Sequence, residues 1–184
     1  GMNALSEAIK VNTSIQKIYL DRNNLGDEEI ISLSEGLKIN TSLQVIYLGE
    51  NNFGDQGMIA LSEAFKVNTT MQSIYLSVNH IGAEGMIALS GAIKVNTSLK
   101  EIFLDSNNIG AEEMIAFSEG LKLNTGLKLI DLRFNKIGDQ GFIALSEAFK
   151  VNTSLKMIYL IGNNIADEVR IEAENFNKNI LILT

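Results

Sequence analysis

The chain matches itself at a shift of 28 residues. LSEAIKVNTSIQKIYLDRNNLGDEEIIS begins at Leu5 and LSEGLKINTSLQVIYLGENNFGDQGMIA begins at Leu33. The same frame restarts at Leu61, Leu89, Phe117 and Leu145 without an insertion, and a partial seventh copy starts near Ala173. A fixed period of this length allows few architectures. Each unit is one supersecondary element, too small to bury its own apolar face, so neighbours must stack. No linker or low-complexity tract interrupts the series, and the expectation is one domain over residues 1–184.

Each unit has two halves of different periodicity. MIALSEAFKVN (Met58–Asn68) places Met58, Leu61, Ala64 and Phe65 on one helical face. Asp55 precedes it as an expected cap, Lys66 sits in the last turn, and Asn68 is expected to stop the helix in the left-handed conformation. LQVIYL (Leu43–Leu48) alternates and is rich in β-branched and aromatic residues, which predicts a short strand. Helix-then-strand units give parallel strands. Strands stack about 4.8 Å apart and helices about 8–10 Å apart, so the stack bends toward the strands. The expected fold is an α/β solenoid, a curved horseshoe segment with a parallel β-sheet on the concave face and α-helices on the convex face.

The strand-and-loop half spells L-x-x-L-x-L-x-x-N-x-L, as Ile15, Ile18, Leu20, Asn23, Leu25 and again as Leu43, Ile46, Leu48, Asn51, Phe53. It recurs at Met71–Ile81, Leu99–Ile109, Leu127–Ile137 and Leu155–Ile165. This pattern resembles the leucine-rich repeat family. The 28-residue length and the helical half with Gly-Asp-x-Gly before it are similar to the ribonuclease-inhibitor-like subclass. That resemblance implies a binding scaffold. Its alternatives are a GTPase-activating protein of the Ran-activator type, or a structural fragment of a larger receptor or effector. The six asparagines Asn23, Asn51, Asn79, Asn107, Asn135 and Asn163 are polar among apolar neighbours. Amides there can satisfy loop backbone groups, so they are read as a structural ladder rather than as a catalytic row.

Between repeats the core-spaced positions barely change; Ser34, Ser62 and Ser90 persist, as do Lys38, Lys66 and Lys94, and Ile31, Ile59 and Ile87. Variation concentrates at strand residues expected to face out of the concave sheet. One column reads Lys17, Val45, Ser73, Glu101, Leu129, Met157. The next, Tyr19, Tyr47, Tyr75, Phe103, Asp131, Tyr159, is almost wholly aromatic, expected to be solvent-facing, and forms either a sheet-stabilising ladder or a binding floor. A third runs Asp21, Gly49, Ser77, Asp105, Arg133, Ile161. The fourth, at the strand ends, is Arg22, Glu50, Val78, Ser106, Phe134, Gly162. Leu129, Met157, Tyr159 and Ile161, with Phe134, are expected to form an exposed apolar patch.

Sharper chemistry finds little support. Glu101 and Asp105 lie about 13 Å apart on one strand, too far for a glycosidase pair. Arg133 is expected to neutralise Asp105 from the neighbouring strand, with Asp131 completing the acidic group. His80 is the single histidine, and the chain has no cysteine, so no metal site and no cofactor are expected. Five N-x-S/T matches, at Asn12, Asn40, Asn68, Asn96 and Asn152, read as a recurring helix stop rather than as glycosylation sites, because Asn124-Thr125-Gly126 keeps the turn and loses the motif. The Gly-Asp-Gln-Gly turns at Gly54–Gly57 and Gly138–Gly141 lack P-loop residues.

A net charge of −7 argues against nucleic acid and anionic membranes. It comes largely from helix-side acids such as Glu35, Glu63, Glu119 and Glu147, and so describes the convex face more than the concave one. Gly1-Met2-Asn3 leads straight into a helical pattern without a signal peptide, and Ile180–Leu183 is far too short to span a bilayer. The expectation is a non-enzymatic, cytoplasmic module that binds a protein or peptide through its concave face. Asn179–Thr184 is expected to form a last strand with an apolar outer edge, open to homo-oligomer formation through the solenoid ends.

Overall fold

The computed structural model describes residues 1–174 and 180–183. Helix and strand alternate throughout. The order is α1 (Met2–Val11), β1 (Lys17–Tyr19), α2 (Asp27–Leu37), β2 (Val45–Tyr47), α3 (Asp55–Val67), β3 (Ser73–Tyr75) and α4 (Ala83–Ile93). It continues with β4 (Glu101–Phe103), α5 (Ala111–Leu123), β5 (Leu129–Asp131), α6 (Gly138–Val151), β6 (Met157–Tyr159), α7 (Asp167–Glu174) and β7 (Leu181–Leu183). The strands form one parallel sheet in sequence order. Register follows the repeat: Ile18 opposes Ile46, which opposes Ile74, and Met157 opposes Leu181. The chain is an α/β leucine-rich repeat fold with its sheet on the inner side and its helices outside. The terminal strand forms on β6 as expected, although Asn179 and Thr184 of that run lie outside the described residues, as does 175–179 of the partial seventh copy.

The strands are three residues long because only their central residue points into the core. Ile46, Ile74, Ile102, Ile130 and Ile158 are fully buried there. They share one continuous buried cluster with strand-end leucines such as Leu48 and helix-face residues such as Leu61 and Phe65. The isoleucines at Ile31 and Ile87 are not core residues, contrary to expectation. They stand exposed on the convex face, and Ile59 is half-buried, because position five of each helix lies on the side away from the sheet.

Two asparagine ladders bind the turns together. In the first, Asn51 Nδ2 donates to the carbonyls of Leu20 and Leu48, while its Oδ1 accepts from the amides of Asn23 and Leu25. Asn107 and Asn135 repeat this between later turns. The second ladder corrects the helix-stop reading. Asn68 is extended (φ −74, ψ 127), not left-handed. Its buried Nδ2 donates to Leu37 and Asn40 carbonyls, and its Oδ1 accepts from the amides of Thr70 and Met71. Asn40, Asn96, Asn124 and Asn152 do the same. The amide is therefore committed to the backbone of the preceding turn, which is the physical reason the residue recurs.

Helix capping also runs between repeats. Asp55 opens α3 but does not cap it; its carboxylate accepts from the amides of Gly82 and Gly85, at the start of α4. Asp27 serves Gly54 and Gly57 in the same way. Where the preceding repeat offers alanine, at Ala83, α5 uses its own Glu113 on the Gly110 amide. The carboxylates at Asp27 and Asp55 fill the anion-attracting helix starts of the following turns.

Candidate functional site

The concave face is built by period-two alternation on the short strands. Residues flanking each buried isoleucine point away from the helices, and the parallel register brings equivalent positions into rows. Tyr19, Tyr47, Tyr75 and Phe103 form a continuous stack with ring centroids 4.5, 4.1 and 4.1 Å apart and planes within 14° of parallel. Stacking hides their faces and leaves their edges outward. Tyr19, at the end of the row, is 66% exposed, while the other three rings are half-buried, so the row is less solvent-facing than the sequence implies. Burial pushes the Tyr75 phenol up to about 12, with the hydrogen bond to Tyr47 and the Glu101 charge acting in the same direction.

The row breaks at Asp131. The expected pairing of Arg133 with Asp105 is only a through-space attraction; the direct ion pair is made elsewhere. Arg133 folds back along its own strand onto Asp131, with Nε to Oδ1 at 2.9 Å and Nη2 to Oδ2 at 2.6 Å. The Arg133 backbone amide adds a third bond to Oδ1. Asp131 is 1% exposed beneath it, so it does not join Glu101 and Asp105 in an accessible acidic group. Arg133 lies in the turn two residues past Asp131, the last residue of β5, and this short reach beats the diagonal one to Asp105. The hydrogen bond to Asp131 holds the Arg133 guanidinium well charged. It lies 5.3 Å from the Tyr159 ring centroid, a cation–π contact. A guanidinium–carboxylate pair thus replaces one aromatic rung and carries the row on to Tyr159.

The flanking columns differ by repeat. Val45 on β2 with Gly49 just beyond it, and Ser73 on β3 with Ser77 just beyond it, are small and leave the aromatic ridge standing clear. On β4 the ridge is bracketed by acids: Ser73 Oγ donates to Glu101 Oε2 at 2.9 Å, and Ser77 Oγ donates to Asp105 Oδ1. On β5 and β6, Leu129 and Met157 are half-buried, while past the ends of these strands Ile161 is 45% and Phe134 60% exposed. Every described residue of the fourth column has positive φ, including Val78 (55°) and Phe134 (55°). This is a conformation that disfavours large side chains. Gly162 leaves the space for the Phe134 ring, since a Cβ there would come within 2.6 Å of it. The strain at Phe134 was invisible to sequence reasoning. Its signal was the arginine, serine and glycine sharing its column, residues with nothing in common except a turn.

The remaining motifs have structural employment. The exposed His80 donates its backbone amide to the Phe53 carbonyl. Among the described residues, no cluster of His, Cys, Asp and Glu is arranged to hold a metal ion. No helix among them is long and apolar enough to cross a membrane.

Comparison with known proteins agrees with this geometry. A family model described as leucine-rich repeat matches residues 40–62, 67–90 and 123–146. A comparison with curated proteins finds no match. Among solved structures, the fold is similar to the actin-binding site 2 of leiomodin-1, with a TM-score of 0.69 and 22% identity over 78% of this chain and 84% of that one. It is also similar to the Caenorhabditis elegans tropomodulin C-terminal domain, with a TM-score of 0.66 and 16% identity over 80% and 90%. Yeast Rad7, in complex with Elc1, matches with a TM-score of 0.50 and 18% identity over 86% of this chain and 44% of Rad7. Successive turns of helix, short parallel strand and asparagine-anchored loop, three stretches of which the family model matches, give the chain a leucine-rich repeat fold.

Proposed function

We propose that this solenoid is a non-enzymatic, cytoplasmic protein-binding module that holds a protein or peptide on its concave face. The observation that carries the reading is the aromatic stack Tyr19–Tyr47–Tyr75–Phe103, running into the apolar patch of Leu129, Phe134, Met157, Tyr159 and Ile161. Stiff aromatic side chains give contact area at low entropy cost. A large aromatic held at positive φ and mostly exposed costs stability without repaying it in packing, a pattern that belongs to binding surfaces. Chemistry is a poorer fit, because Asp131 is consumed by Arg133, Glu50 by Arg22, and Glu101 and Asp105 are held apart along β4 and its continuation. Two similar solenoids engage proteins, leiomodin-1 through an actin-binding site and Rad7 in a complex with Elc1.

The test uses two sets of variants, because the stack also supports the sheet. Partners captured from the native source, with actin as a defined additional arm, are compared for the wild type, for Tyr47→Ala/Tyr75→Ala/Phe103→Ala, and for Phe134→Ser/Ile161→Ser. Binding should fall at least tenfold in both sets while urea unfolding of the second stays cooperative. Unchanged affinity in both removes the concave face as the binding site.

A further inference from the structure

We propose that β4 and its continuation recognise an extended partner segment carrying two basic side chains four residues apart, with an apolar residue midway between them. The proposal rests on the concave face being the binding face, and it names the chemistry of the occupant.

Glu101, Phe103 and Asp105 alternate along one chain and stand on the same side of the sheet. Each carboxylate is oriented from β3, Glu101 by Ser73 Oγ and Asp105 by Ser77 Oγ. One oxygen of each, Glu101 Oε1 and Asp105 Oδ2, is left to accept from a ligand. Among the described residues neither carboxylate meets a cation. Arg133, the nearest in the columns, is held by Asp131, and Arg22 by Glu50. Lys17 lies three strands away. Arg133 acts on Asp105 through space but is paired with Asp131. Glu101, Asp105 and Asp131 together outweigh that one cation, so the face around β4 keeps a net negative charge, and its complement is basic.

The spacing selects the shape of that complement. Glu101 and Asp105 are separated by about 13 Å at 3.3 Å per residue. An extended segment lying along β4 has the same rise, so its residues i and i+4 reach the two acids and i+2 meets the outward edges of Tyr75 and Phe103. On a helix, residues four apart are only about 6 Å from one another and reach one acid at most. Two basic residues at i and i+2 of an extended segment fail for the same reason. The small side chains of β2 and β3 leave room beside the ridge for the partner's backbone. A segment that satisfies one carboxylate and covers the other leaves a desolvated charge unpaired. Spacing is thus a specificity device.

The experiment measures binding of fluorescent, threonine-rich nonapeptides to the whole chain by anisotropy at low and high salt. One carries Arg at positions 3 and 7 with Phe at 5; a second carries Arg at 3 and 5 with Phe at 7; a third carries Glu in place of both Arg. The first should bind at least tenfold more tightly than the second and show no measurable counterpart in the third. Glu101→Gln/Asp105→Asn should weaken it at least tenfold and flatten its salt dependence. Equal affinity of the first two peptides, failure of the first to bind, or an unaffected double variant overturns the proposal. Failure here is separable from failure of the binding-face reading. A native partner that loses affinity with Phe134→Ser/Ile161→Ser but ignores Glu101→Gln/Asp105→Asn leaves the face standing and removes the basic pair.

Discussion

At the residue scale, Asp131 is the one charged side chain that is buried among the described residues. Its carboxylate is 1% exposed, and Arg133, which neutralises it, is itself partly in water. Removing one member of such a pair leaves a buried charge uncompensated, whereas replacing both by a shape-matched apolar group is often harmless. Arg133→Ser should therefore cost about 3 kcal/mol in urea unfolding. Asp131→Tyr combined with Arg133→Ser should recover most of it, because a ring at that rung stacks between Phe103 and Tyr159. A double variant no more stable than Arg133→Ser would show that the rung cannot be filled. Tyr75 has the opposite charge logic. Its phenol is raised from 10.0 to about 12, chiefly by burial. A raised acid holds its proton longer folded than unfolded, so the associated stability is present below about pH 10 and is lost as pH climbs toward 12. Absorbance titration near 295 nm should show one tyrosine ionising last, and Tyr75→Phe should abolish that phase.

The element scale shows what a repeated sequence reveals and what it hides. Columns are legible because a 28-residue step without insertions maps every position onto its neighbour. The strand register, the helix faces and the asparagine at the end of each strand loop follow from that alone. Direction along the stack is not legible. Asp55 sits where a cap belongs, yet it faces the next helix rather than its own. Asn68 sits where a helix ends, yet it ends it by reaching back to the previous turn. Arg133 had two carboxylates within range in the column map, and only side-chain geometry chose between them. The first two are contacts one repeat away in opposite senses and the third stays within its own repeat, and a stacked alignment does not distinguish these choices. Asp55→Ala should accordingly destabilise the start of α4, not α3, at a cost of about 1–2 kcal/mol. Hydrogen exchange should quicken at the Gly82 and Gly85 amides and stay unchanged at Gly57. Faster exchange at Gly57 would return the cap to its own helix.

At the scale of the whole molecule, stability is a sum of units and of the interfaces that couple neighbours. The interfaces are not identical. Where a helix presents glycine, as Gly36 and Gly120 do, the serine of the preceding helix crosses over: Ser6 Oγ donates to the Ser32 carbonyl and Ser90 Oγ to the Ala116 carbonyl, each at 2.6 Å. Where the same position is alanine the crossing bond is lost: before Ala64, Ser34 turns back to the Ile30 carbonyl of its own helix, and before Ala92 and Ala148 the buried hydroxyls of Ser62 and Ser118 find no partner among the described residues. Glycine thus lets two helices approach until a hydrogen bond spans them. A Cβ on Gly120 would fall 2.5 Å from the Ser90 carbonyl oxygen and 3.0 Å from the Ile93 side chain, so α4 and α5 must separate to admit one. That contact lies at the middle of the chain, with three strands on one side and β4 to β7 on the other. A weakened central interface costs cooperativity before it costs fold, because each half keeps its own nearest-neighbour contacts. Gly120→Val should lower stability by about 1–3 kcal/mol through overpacking. It should also split a single urea transition into two, with the amides of α2 and α3 and those of α6 exchanging independently. A single sharp transition, merely shifted, would mean that the solenoid couples over more than adjacent turns.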